Sequence, residues 1–254
     1  MKWILNLIYW LDKNEKFIID WVQLRFYICS LLDFKNKERR ELFRKVRKNT
    51  LVSYRRLASL WNLILKIEKR NLKGNLVECG VWKGGCAATI GYLMQKYEMK
   101  GELYLFDSFE GMPEPTEKDG NKAKVFAGGK DKGELKSIKK TIGLLKTVKK
   151  LFFDEIKLDK KKIHFYKGWF QKTLPKAKKK VGPIVLLRID SDWYESVKIC
   201  LEELYDQVVK GGYVVFDDYH YWQGCKRAVD EFMKERKIKS KLKRTGFSGV
   251  FWQK

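Results

Sequence analysis

Residues 183–218 hold the pattern from which the rest of the chain is read. They begin Pro183-Ile184-Val185-Leu186-Leu187-Arg188-Ile189-Asp190-Ser191-Asp192-Trp193-Tyr194-Glu195, continue through a helical segment, and close on Gly211-Gly212-Tyr213-Val214-Val215-Phe216-Asp217-Asp218. Two short apolar, β-branched runs, each ending in carboxylates and separated by about one crossover's length of helix, predict adjacent parallel strands of a βαβ unit. Open α/β sheets bind ligands at the carboxyl ends of their strands. Asp190, Asp192, Asp217 and Asp218 stand at two such ends and are read as the active centre.

Upstream, Leu76-Val77-Glu78-Cys79 reads as the first strand and Gly80-Val81-Trp82-Lys83-Gly84-Gly85 as a tight turn into a helix over 86–97. A glycine-rich strand-to-helix turn lets backbone approach a ligand closely and points helix N–H groups at a carboxylate or phosphate. Leu103-Tyr104-Leu105-Phe106 is a second strand ending at Asp107, 29 residues beyond Glu78. An acid at this point of a nucleotide-binding βαβ unit accepts hydrogen bonds from ribose hydroxyls. Between 108 and 162 the pattern breaks, punctuated by Gly111, Pro113, Pro115, Gly120, Gly128 and Gly129. A long insertion after a strand's carboxyl end lies over the ligand crevice, which predicts a substrate lid. Ile163-His164-Phe165-Tyr166 is a third strand, a helix is expected over 224–237, and Gly249-Val250-Phe251-Trp252 reads as a last edge strand. This is the element order of a doubly wound α/β sheet.

Residues 1–71 read as a helical extension. Phe17, Trp21, Leu24, Ile28 and Leu31 recur at spacings of four and three, an amphipathic stripe, and a second helix is expected from about Arg40 to Arg70. Such a stripe packs on the parent domain or on a second subunit, which would make a homo-oligomer. Its content of Trp and Tyr, flanked by basic residues, also suits the interface of an anionic membrane.

The 254 residues suffice for one large domain with an added helical element, and a hydrophobic fraction of 44% suffices for a core. The excess of 55 Lys and Arg over 31 Asp and Glu, a net +24, favours anionic partners, although the lysines are scattered as on a solvated surface. Cys29, Cys79, Cys86, Cys200 and Cys225 are odd in number and lack CxxC spacing, so neither a disulfide framework nor a zinc site is suggested, which fits a reducing cytoplasm. The apolar start, Trp3 to Leu11, has no small-residue cleavage site after it and is too short to span a bilayer, so no signal peptide or transmembrane helix is expected.

The blocks Glu78 to Gly85, Leu105 to Pro113, Lys167 to Phe170 with Thr173-Leu174-Pro175, Leu187 to Ser196, and Gly211 to Tyr219 with Gly224-Cys225 together resemble the macrocin O-methyltransferase (TylF-type) family of S-adenosylmethionine-dependent sugar methyltransferases. The resemblance covers residues 72–237. It implies a class I methyltransferase (Rossmann-like) fold over 72–254, with a seven-stranded sheet whose last strand is antiparallel. It implies that Glu78, Gly80, Val81, Gly85, Cys86, Asp107, Ser108, Phe109, Gly168 and Asp190 line the S-adenosylmethionine pocket. It further implies that Asp190, Asp217 and Asp218 surround a Mg²⁺ ion and that Asp192 is the catalytic base. Cys86 departs from the family, which usually carries a serine there to hold the cofactor's carboxylate.

The chemistry asks for such residues. A sugar hydroxyl is a poor nucleophile and must be deprotonated and aligned with the departing sulfur. A bound cation does both, and oxygen-only ligands suit Mg²⁺ or Mn²⁺. If the strand persists to Asp192, Asp190 and Asp192 project to one face, one to bind metal and one to take the proton. Cys79, Cys200 and His164 read as structural. His220, Trp193, Tyr194 and Trp222 lie where they could reach a sugar, and Arg188, inside an apolar strand, requires a buried acid partner. The expected acceptor is a glycan or glycosylated metabolite and the expected place the cytoplasm, with peripheral contact at the inner membrane face. An RNA methyltransferase fits the basic charge, but a groove of carboxylates repels phosphate and no RNA-binding appendage is evident, so no specific nucleic acid is expected. A membrane-associated scaffold without catalysis would not need all four acids.

Overall fold

A computed structural model describes residue 24, residues 26–34 and residues 36–254. A helical stretch over 26–32 leads into α1 (Lys37–Val46) and α2 (Tyr54–Lys69). Next come β1 (Asn75–Cys79), α3 (Gly85–Lys96) and β2 (Leu103–Asp107), then α4 (Gly120–Phe126) and α5 (Leu145–Lys150). The remainder is β3 (Ile163–Lys167), α6 (Phe170–Val181), β4 (Ile184–Ile189), α7 (Tyr194–Leu204), β5 (Val208–Phe216), α8 (Gln223–Glu235), β6 (Lys243–Arg244) and β7 (Val250–Gln253). The seven strands lie in the order β3-β2-β1-β4-β5-β7-β6, with β7 antiparallel to β5 and to β6.

The central strands are apolar throughout because both faces are covered. Alternate residues of the pleat enter two separate cores. Leu76, Leu105, Val185 and Val215 pack with α1, α2, α3 and α5, whereas Val77, Phe106, Leu187 and Phe216 pack with α6, α7 and α8. The register aligns Cys79 with Phe106 and Ile189, and Ile189 with Phe216. Gly80, Asp107, Asp190 and Asp217 therefore leave the sheet at one rim, beside the point between β1 and β4 where the strand order reverses. That is where an open α/β sheet forms its crevice.

Four expectations change. The helix expected over 40–70 is two helices, parted at Arg47–Ser53. Asn49 and Thr50 there lie against the start of α3, where a Cβ on Gly85 would stand 2.7 Å from the Asn49 carbonyl oxygen. Ser53 then caps α2, its hydroxyl accepting from the Arg56 N–H at 3.4 Å. β7 is not an edge strand, since β6 pairs outside it. The β4 strand ends at Ile189, before the acids, so Asp190 and Asp192 approach each other through a turn in which Asp192 takes a positive φ of 61°. Finally, Phe17 and Trp21 lie outside the described residues, but the rest of the predicted stripe faces outward: Leu24, Ile28 and Leu31 are exposed, and Phe26 and Ser30 are buried instead.

Within 108–162, residues 108, 111–113, 126, 140 and 141 line the crevice. Val148, Leu151, Phe152 and Leu158 are buried in the core against α3.

Candidate active site

The crevice is a single cavity of about 1170 Å³. One half is built at the ends of β1 and β2. Gly80 has φ +89°, and a Cβ there would fall 1.8 Å from the Asp190 carbonyl oxygen, so only glycine lets the β1 and β4 chains pass this closely. The next two amides, Val81 and Trp82, donate to Asp107 Oδ2 at 2.7 and 2.9 Å, and the Phe109 amide donates to Oδ1 at 2.6 Å. Burial raises the Asp107 pKa while these three N–H groups pull it down. Ser108 closes the loop, donating to the Gly111 carbonyl at 2.7 Å. Gly168, beyond β3, donates its N–H to the Asp107 carbonyl at 2.9 Å. Cys86, in the first turn of α3, is buried with its thiol pushed up to about 12, and the Thr50 hydroxyl lies 3.5 Å from its sulfur.

The other half is built from charge. Arg188, 2% exposed, is the cation that the β4 sequence demanded a partner for, and the partner is Glu78: its Oε1 is ion-paired with Arg188 Nη1. Arg188 Nη2 lies 3.0 Å from Asp190 Oδ2 and 3.3 Å from Asp217 Oδ1. Burial pushes Glu78 up to about 8 against the pull of Arg188, and its Oε2 is buried without a hydrogen-bond partner. A second guanidinium comes from α2. Arg56 Nη1 donates to Asp217 Oδ2 at 2.7 Å, to the Asp217 carbonyl at 3.0 Å and to Ser248 Oγ at 2.8 Å, and lies 3.9 Å from Asp218 Oδ1.

Asp190, Asp192 and Asp218 form the remaining cluster, each offering an oxygen within 4.8 Å of the others. Desolvation raises all three carboxyls. Asp190 and Asp218 are pushed well above the ordinary range, and Asp192 is pushed up to about 7 despite a hydrogen bond with Asp218 that lowers it. Asp190, Asp192 and Asp218 crowd one another at this rim, where the Lys122 ammonium faces Asp192 and Asp218. The acid turn is held from behind by Asp119, buried in the insertion, whose Oδ1 accepts from the Tyr194 N–H at 2.6 Å.

Of the residues singled out in the sequence, Glu78, Gly80, Val81, Gly85, Cys86, Asp107, Ser108, Gly168 and all four acids line the cavity. Phe109 is not among its lining residues; it is 2% exposed and contributes through its backbone. Trp222 lines the cavity, whereas Trp193 and Tyr194 are buried in the core. His220 is exposed and does not itself line the cavity, and His164 stacks on Tyr104 and meets Glu102 at 2.8 Å. Cys79 and Cys200 are small core residues, as read. Arg56 and Asp119 were not legible: no local pattern distinguishes an arginine that reaches a carboxylate 161 positions away.

A parallel sheet of this order, closed by an antiparallel seventh strand and opening a nucleotide-sized crevice at its switch point, defines a class I methyltransferase that takes its methyl group from S-adenosylmethionine. The sequence profile described as Macrocin-O-methyltransferase (TylF) matches residues 20–254, so the chain belongs to that family and is an O-methyltransferase. It is 31% identical over 207 residues to demethyldecarbamoylnovobiocin O-methyltransferase of Streptomyces niveus, covering 81% of this chain and 76% of the relative. It is 28% identical over 206 residues to 8-demethyl-8-(2,3-dimethoxy-alpha-L-rhamnosyl)-tetracenomycin-C 4'-O-methyltransferase of Streptomyces olivaceus, covering 81% and 75%. Among solved structures, the O-methyltransferase NovP superimposes with a TM-score of 0.72 at 26% identity over 95% of this chain and 99% of its own. The calicheamicin methyltransferase CalS11 shares the fold, with a TM-score of 0.63 at 18% identity over 91% of each chain.

Proposed function

We propose that this O-methyltransferase acts on a sugar hydroxyl of a glycan or glycosylated metabolite, and that a divalent cation, Mg²⁺ or Mn²⁺, assists it. The observation that carries the reading is the cluster of carboxylate oxygens at the ends of β4 and β5, three of them within 4.8 Å of one another. An all-oxygen donor set of high negative charge suits a hard divalent ion, and the desolvated acids are the groups such an ion would relieve. When bound, the cation supplies Lewis acidity, lowering the pKa of a coordinated hydroxyl.

Asp190, Asp217 and Asp218 hold the ion in this reading, although the 4.8 Å cluster contains Asp192 in place of Asp217, so Asp217 would have to exchange a contact with Arg56 or Arg188 for the ion. Asp217 is oriented by Arg56 and Arg188. Asp192, with a pKa of about 7 and a hydrogen bond to Asp218, is the base that takes the proton from the acceptor hydroxyl. Glu78, Gly80, Val81, Asp107, Ser108 and Gly168 hold the methyl donor, with Asp107 on its ribose. Thr50 sets a hydroxyl beside Cys86, where the family carries serine, so the helical extension completes the cofactor end. Trp222 and Phe126 line the acceptor end, where aromatic rings stack on sugar faces. The front of the insertion, residues 108–141, serves as the lid. The name of the Streptomyces olivaceus relative, an O-methyltransferase of a rhamnosyl-tetracenomycin, supports a sugar acceptor.

Calorimetric titration tests the assignment. S-adenosylhomocysteine is expected to bind the wild type and to lose affinity in Asp107→Ala by about tenfold to a hundredfold, the worth of a charge-assisted hydrogen bond. Mg²⁺ is expected to bind the wild type and Asp192→Asn but not Asp217→Asn. The opposite pattern would give the ion to Asp190, Asp192 and Asp218 and take the role of base from Asp192.

A further inference from the structure

Three segments far apart in the sequence line the cavity, and each presents an apolar side chain outward, two of them beside an arginine. The helical stretch 26–32 lines the cavity with Phe26 and Cys29, while Ile28 and Leu31 are exposed on it, with Leu32 68% exposed, and Leu24 before it and Phe34 after it, 76%, are exposed as well. The α1–α2 connection contributes Leu51 and leads into Arg55, both exposed and both lining the cavity. The β6–β7 turn brings Phe247, 83% exposed, and the exposed Arg244 to the same wall. The three are joined at their bases. The Phe26 and Tyr54 rings lie 5.2 Å apart, and Arg56 Nη1 donates to Ser248 Oγ at 2.8 Å. Among the described residues, eight of the thirteen exposed large hydrophobic side chains belong to these segments or flank them. The surface is therefore one apolar rim around the cavity mouth, not scattered exposure.

We propose that this rim docks on the surface of an anionic lipid bilayer, so that the acceptor sugar is the headgroup of a lipid-linked glycan entering the cavity from the membrane. The acceptor part rests on the sugar-hydroxyl reading above; the docking surface stands on its own geometry. Charge selects the occupant. Arg44, Lys45 and Lys48 are exposed on α1 and just beyond it, next to Leu51, and the chain carries a net +24. Two copies meeting through this face would set those cations against each other, whereas anionic headgroups neutralise them. A nucleic acid would satisfy the cations but leave Ile28, Leu31 and Leu32 facing phosphate and water. The preceding 23 residues carry Trp3, Trp10 and Trp21, a residue type favoured at the boundary between headgroups and acyl chains.

The test is co-sedimentation of the full chain with sucrose-loaded vesicles, either phosphatidylcholine alone or phosphatidylcholine mixed with phosphatidylglycerol. Binding is expected to the mixed vesicles and to weaken as salt rises. Leu32→Ser and Phe34→Ser, exposed positions that leave the cores untouched, are each expected to weaken it about tenfold or more, and Arg55→Glu about fivefold. Unchanged S-adenosylhomocysteine affinity in Leu32→Ser and Phe34→Ser verifies that they are folded and separates failure of docking from failure of the methyltransferase reading. Binding that ignores lipid charge, or that persists in Leu32→Ser and Phe34→Ser, overturns the proposal. So does a wild-type dimer in analytical ultracentrifugation that these substitutions convert to monomer, which would make the face a contact between copies.

Discussion

At the ends of β1 and β2 the wall of the cavity is main chain. Two turn amides reach back to Asp107 across 26 and 25 positions, and the glycine that permits the turn is the one where β1 passes β4. At the ends of β4 and β5 the wall is a network of ions. Glu78 and Arg188 are 110 positions apart, Arg56 and Asp217 161, and each is held in place by being buried with its opposite. The first half is shaped by local backbone geometry and needs few particular side chains. The second exists only when four segments of chain come together, and every member is poised against the others.

If that contrast is right, the two halves fail differently. The largest effect is expected at Asp192. Asp192→Asn should lower methyl transfer from labelled S-adenosylmethionine to a total glycan extract by about 10²- to 10⁴-fold, the usual worth of a positioned base, while leaving S-adenosylhomocysteine affinity unchanged. Parallel losses in both would mean that the halves act as one unit. Next comes Arg188→Met, which strands Glu78, Asp190 and Asp217 in a buried site. Its expected cost in urea unfolding is about 3–5 kcal/mol, and adding Glu78→Gln should restore part of it. A double variant no more stable than the single would show that Glu78 is not the principal partner.

The smallest effect sharpens the comparison with an ion pair outside the cavity. Asp33 meets Arg39 through two contacts of 2.8 Å, and this pairing holds its carboxyl below the ordinary range, whereas desolvation drives the buried acids above it. A lowered folded-state pKa adds stability that is complete above the unfolded value, about 3.9, and is lost as pH falls through the folded value. Thermal melts of the wild type and Asp33→Asn should differ at neutral pH by about 1–2 kcal/mol, since Asp33 also accepts from the Tyr54 hydroxyl at 2.5 Å, and converge in acid. A gap that stays constant down through the acid range would exclude the pair as its source.

The contrast also explains what could be read in advance. Six of the seven strands were legible because burial writes an apolar run, whereas the two-residue β6, both residues exposed, was not, and the cofactor turn was legible because glycine and a following acid mark it within 30 residues. The four acids were legible because they end two such runs. Even their grouping was anticipated for a reason that proved different: the pleat stops at Ile189, and a turn at Asp192, not strand alternation, brings them together. The stripe in the N-terminal helix marked an amphipathic face but not its direction. Periodicity reports that apolar residues share a side, not what that side meets.

The sequence by itself determined the class of fold, the rim of the sheet that carries the chemistry, and the residue types gathered there, because those follow from local periodicity and from the carboxyl ends of strands. Only the tertiary structure decided that Arg188 answers Glu78, that Arg56 reaches Asp217, that Asp119 fixes the acid turn, and that three exposed segments ring the mouth of the cavity. Those facts depend on which distant groups share a desolvated space. The energy of a buried charge is set by that neighbourhood and not by its neighbours in the chain.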